Sequence, residues 1–177
     1  MKRFAFSLVV AALLLAAPSV SQTRAAHDRR SGVIVHYPSD WHRDTHATGF
    51  TIDSFPVKKR PVPMLVTPDG AAIMISPWPE KEKSIDDVVV LDYLTEENGY
   101  RTKQTELQTT EGAVAAKEFR DRSAPVSEGH TLIDLFTVHG RSYETALFYR
   151  DASYKDKFEK AYYAILGALE FPKIKNR

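Results

Sequence analysis

The chain has no cysteine among its 177 residues. It therefore has no disulfide, no thiolate metal ligand, no thiol nucleophile and no cysteine for an acyl anchor. Its fold must rest on packing alone. It also lacks an excess of charge: 24 Lys and Arg face 23 Asp and Glu. Setting aside Lys2, Arg3 and Arg24, the basic count drops just below the acidic one, which gives no overall pull toward nucleic acid or an anionic membrane. Its eight glycines are scattered and build no phosphate loop, and no G-x-S-x-G or H-E-x-x-H motif occurs. There is no internal repeat, and no apolar run after residue 17 is long enough to cross a bilayer.

What is present begins with a leader. Lys2-Arg3 precedes a nearly unbroken apolar stretch from Phe4 to Ala17, and small residues follow at Ser21 and Ala25. This is the pattern of a secretory signal, with residues 1–25 removed, or cleavage after Ser21 as the second option. The expected organisation is a signal peptide over 1–25, a flexible lead-in over 26–31, one domain over 32–172 and a solvated tail over 173–177. A domain of that size buries enough surface for an ordinary core. The product is expected to be periplasmic or extracellular, with no membrane anchor after cleavage.

Residues 32–55 read as strand, turn, strand. Val33, Val35 and Tyr37 alternate with Ile34 and His36, Pro38 ends the run, Ser39-Asp40 turns, and Trp41 folds back as an apolar anchor. Phe50, Ile52 and Phe55 start a second run, and the rest of the chain is expected to build on this pair. Residues 56–70 hold four prolines and the basic triplet Lys58-Lys59-Arg60, a load that no central strand carries. Residues 71–76 are apolar on both faces, as in a covered strand. Residues 84–98 have helical spacing, with Ser84 and Asp87 as a near capping box. Residues 100–109 and 113–120 form a hairpin pattern. Residues 130–138 and 141–150 flank His139-Gly140, a two-residue turn that sets opposite positions as His130 with Tyr149, Asp134 with Thr145 and Phe136 with Tyr143. Both faces of that pair are apolar, so it belongs in the middle of a sheet. Residues 153–169 close the chain with Phe158, Ala161, Tyr162, Ile165, Leu166 and Leu169 on one helical stripe.

The run Val33-Ile34-Val35-His36-Tyr37-Pro38 with Trp41, the run Arg141 to Ala146, and the closing helix resemble the PsbP-like families. These include the photosystem extrinsic protein PsbP, the Ran-binding Mog-type proteins and small exported proteins such as DcrB. The resemblance implies an α+β fold, an antiparallel β-sheet flanked by helices on both faces as an α/β/α sandwich. It matches no binding residue to a position in this chain. The roles in these families differ, and a leader for export is incompatible with a Ran partner.

The sharpest chemical candidates are His42, Asp44 and His46, which share one face if extended and are then a possible Zn or Fe ligand set, with Asp40 nearby. The structural alternative, a solvated loop after Trp41, is preferred because no second-shell partner is evident. Asp134 lies between Leu132 and Phe136 on a covered strand. It is either a general acid or base or, as preferred, a structural group hydrogen-bonded to Thr145 or His130. Lys58, Lys59 and Arg60 are the candidate partner contact, and a solvated loop tip is their plainer reading. The aromatics have core spacing, with Tyr163 off the main stripe and expected to be exposed. No cofactor is expected. The resulting reading is a non-enzymatic exported accessory or protein-binding module acting through its loops. The rival is a metal protein or metalloenzyme built on His42, Asp44 and His46, and a ligand carrier with a cavity between sheet and helix is a third.

Overall fold

The computed structural model describes residues 23–45, 50–54, 69–78, 85, 94–121 and 129–173. Nine strands are present among them: β1 (Thr23–His27), β2 (Ile34–Pro38), β3 (His42–Asp44), β4 (Phe50–Asp53), β5 (Ala71–Pro77), β6 (Tyr100–Thr109), β7 (Gly112–Asp121), β8 (His130–Val138) and β9 (Arg141–Tyr149). A single 3-10 turn (Ala152–Tyr154) leads into the helix α1 (Lys155–Gly167). Strands β3 to β9 form one antiparallel sheet in the order β3-β4-β5-β9-β8-β7-β6, while β1 and β2 pair apart from it.

The β8–β9 hairpin lies near the middle of the sheet and keeps the register read from the sequence: His130 faces Tyr149, Asp134 faces Thr145 and Phe136 faces Tyr143. Its turn residues His139 and Gly140 both have positive φ, 51° and 74°, the geometry that a two-residue hairpin of this hand requires. At the other end of β8, Gly129 is obligatory: φ is +83° and an added Cβ would sit 2.9 Å from the Tyr149 carbonyl oxygen.

Alternation along the strands sends side chains to two cores. Ile73, Ile75, Leu132, Phe136, Tyr143 and Leu147 face α1, whose buried stripe is Phe158, Tyr162, Ile165 and Leu166. Val33, Val35 and Tyr37 of the β2 segment, Trp41 and Phe171 close the same core. The opposite face carries Phe119, Ile133, Leu135 and Ala146, packed with Leu94 and by the partly buried Trp78 and Ile85.

Four expectations are corrected. The sandwich with helices on both faces is not found: the fold is mostly antiparallel sheet, and the one α-helix bounded within the described residues, α1, lies on one face. Of the helix expected over 84–98, Ile85 is helical, residues 84 and 86–93 lie outside the described residues, and only the C-terminal end departs from the expectation. Its described end, 95–99, is a turn in which Thr95 O accepts from the N–H groups of Asn98 and Tyr100. The strand pair expected in 32–55 does not form. β2 pairs with β1, and β4 lies in the large sheet between β3 and β5. The lead-in expected to be loose, 26–31, is ordered: Ala26 pairs with Val35, His27 with Ile34, and Asp28 accepts from Ser31 N at 2.9 Å. Residues 23–25 of the expected leader also belong to β1, and residues 1–22 lie outside the described residues.

Candidate functional site

A polar row crosses the sheet beneath α1. Register places Lys103, Glu118, Asp134 and Thr145 side by side on β6, β7, β8 and β9. Two residues along β7 from Glu118, Arg120 shares the face. Its Nε donates to Glu118 Oε1 at 2.6 Å, and its Nη1 donates to Glu159 Oε1 of α1 at 2.5 Å. Tyr163 of α1 donates to Glu118 Oε2 at 2.9 Å. Sheet and helix are thereby tied by charge-assisted bonds at the margin of the core. Burial works against the Glu118 charge, but hydrogen bonds from Arg120 and Tyr163 outweigh it and hold its carboxyl below the usual range.

Asp134 sits deeper, with no exposed surface. Tyr162 Oη lies 2.9 Å from its Oδ2, 3.1 Å from the Thr145 carbonyl oxygen and 2.7 Å from Thr145 Oγ1. Among the described residues no donor reaches Asp134 Oδ1. Burial raises this carboxyl to about 7, only partly offset by the Tyr162 hydroxyl, and Glu118 adds to the rise. The structural reading of Asp134 is the one observed, with a different principal partner. Its carboxyl meets Tyr162, Thr145 joins through that hydroxyl and by a longer bond to the Asp134 carbonyl oxygen at 3.4 Å, and His130 stacks on Tyr149 instead. Asp134 has no exposed surface, and its described contacts are internal.

The other candidates are scattered. His42 is half-buried on β3 opposite Asp53, and Asp44 is buried opposite Thr51. These two do share a face, as alternation requires, but His46 lies outside the described residues. Asp40 is exposed in the turn before Trp41. Among the described residues no group of three or more His, Cys, Asp or Glu is placed to hold a metal ion. Lys58, Lys59 and Arg60 lie outside the described residues, but the base of their stretch is defined. Ser54 N donates to Ala71 O at 2.9 Å, and Ala71 N donates to Ser54 Oγ at 2.8 Å. Ser54 and Ala71, on either side of the proline-rich stretch, are therefore hydrogen-bonded neighbours. No helix among the described residues is long and apolar enough to cross a membrane.

Sequence reading missed Glu118, Arg120, Glu159 and Tyr163 as one group. Tyr163 is half-buried rather than exposed, because its hydroxyl reaches Glu118. The available signal was Tyr162 on an otherwise apolar stripe: a buried phenol must find a partner, and Asp134 was the buried group in need of one.

No family model and no curated protein sequence matches the chain. Solved structures do. Cyanobacterial PsbP (CyanoP) from Synechocystis sp. PCC 6803 superposes over 90% of this chain and 99% of its own, with TM-score 0.50 and 14% identity. A Bacteroides thetaiotaomicron protein gives TM-score 0.41 at 14% identity over 80% of this chain and 45% of its own. A Pseudomonas aeruginosa protein of unknown function, described as a putative regulator, gives 0.39 at 10% identity over 86% of this chain and 99% of its own. At that identity the CyanoP likeness shows a PsbP-like fold and nothing finer.

Proposed function

We propose that this chain is an exported accessory module of PsbP-like fold that acts by contact rather than by catalysis. The observation that carries this reading is the fate of Asp134. The described group best suited to acid–base work is sealed from solvent and engaged with the helix that covers it. Export rests on the apolar leader, Phe4 to Ala17 behind Lys2-Arg3. The contact surface is assigned to the excursion carrying Lys58, Lys59 and Arg60, because its closed base at Ser54 and Ala71 lets it vary without disturbing the sheet.

The test is deletion of residues 58–63 from the mature protein. Stability should change by no more than about 0.5 kcal/mol, as for a surface change remote from the core. Capture of the partner by tagged protein from its native compartment should be lost. Undiminished capture by the deleted form overturns the surface assignment.

A further inference from the structure

The contacts around Tyr162 differ in number between the two protonation states of Asp134. Tyr162 has one O–H, yet its oxygen lies within hydrogen-bond distance of Asp134 Oδ2 and the Thr145 carbonyl oxygen, with Thr145 Oγ1, which can donate or accept, nearest at 2.7 Å. The first two contacts are hydrogen bonds at once only when Asp134 is neutral: its carboxyl O–H donates to Tyr162 Oη, and Tyr162 donates to the Thr145 carbonyl. When Asp134 is ionised, Tyr162 must turn to it, and Oδ1 becomes a charged oxygen that no donor reaches among the described residues.

The neighbours make that charge worse. From β7, Glu118 stands beside Asp134 in the row, and Arg120 is already shared between Glu118 and Glu159. From α1, Glu159 adds a second negative charge, Tyr163 spends its proton on Glu118, and Tyr162 is the one side-chain donor to the Asp134 carboxyl among the described residues. From β9 the facing group is Thr145, uncharged. Lys103 of β6 lies at the far end of the row, beyond Glu118. Asp134 Oδ1 is buried from solvent.

We propose that Asp134 is a proton-controlled latch on the α1–sheet interface: neutral, it lets the helix seat fully, and ionised, it loosens the helix from β8 and β9. The elevated titration of Asp134 puts the change near neutrality.

Amide hydrogen exchange, corrected for intrinsic rates, tests this. Between about pH 5 and about pH 8, protection of the α1 amides should fall roughly tenfold or more relative to the β8–β9 ladder. In Asp134→Asn, whose amide N–H₂ supplies the donor that the neutral acid supplies, the fall should vanish. A wild-type helix whose protection is unchanged, or an equal fall in Asp134→Asn, overturns the latch. If Asp134→Asn does not fold, carboxyl-carbon NMR of the wild type decides. A midpoint near neutrality supports the latch, and a midpoint near the ordinary aspartate value overturns it.

Discussion

The two faces of the sheet each bury an acid, one register step apart. Asp134 points to the helix face, and Glu144, opposite Leu135, points to the other. Glu144 retains 8% exposure and accepts from Trp78 Nε1 at 3.2 Å. Asp134 has no exposure and depends on one hydroxyl carried by the covering helix. Glu144 accepts from a side chain just past the end of β5. Asp134, one rung away, accepts from the helix that covers it.

The contrast is broken most strongly by removing the helix anchor. Phe158→Ala empties a fully buried site against Trp41 and Tyr149, and should cost about 3–5 kcal/mol in chemical denaturation. A loss below about 1 kcal/mol would mean that α1 is not part of the core. Next comes Arg120→Ala, which leaves Glu118 and Glu159 facing each other without their shared cation. The guanidinium is about a third exposed, so the loss is set at about 1–3 kcal/mol, and the Asp134 titration should move higher.

The pH profile sharpens the contrast through its sign. The Asp134 carboxyl is raised, so the folded state holds its proton more tightly, and the corresponding stability is full below about pH 4 and lost as pH climbs through about 7. Glu118 is lowered, so its contribution is present above the ordinary glutamate range and lost as pH falls below it. Melting temperature should therefore peak on the acid side of neutrality. Asp134→Asn should flatten the upper limb alone. Tyr162→Phe is smaller, about 1–2 kcal/mol, and its effect should grow with pH because the ionised carboxylate then has no donor. Smallest is truncation of β1. A chain beginning at Ala26 loses the rungs Thr23–Pro38, Arg24–Tyr37 and Ala25–His36, and should be about 1 kcal/mol less stable than one beginning at Gln22. N-terminal sequencing of the exported form is expected to read Gln22.

Much of the helix face was legible in sequence because local rules govern it. Period two and a two-residue turn set the β8–β9 register, and period 3.6 set the stripe of α1. The β1 strand was hidden: Thr23 to His27 is polar and mostly exposed, without the alternation that marks a half-buried strand. Val33 and Val35 announced burial but not against what, since the pairing partner depends on the whole chain. The Arg120–Glu159 link spans 39 residues and depends on how α1 rotates over the sheet, which no local pattern encodes. His42 and Asp44 share a face as alternation demands, yet sharing a face did not assemble a ligand set.

The antiparallel bridge between Ile34 and Glu170 carries a further consequence. It joins the β2 segment to the stretch that follows α1, and the core between them needs Phe158, Leu166 and Phe171 to be complete. During translation the sheet's apolar face stays uncovered until those residues emerge. Until then the face that α1 covers lacks Phe158 and Leu166 against it, and Ile34 lacks its bridge to Glu170.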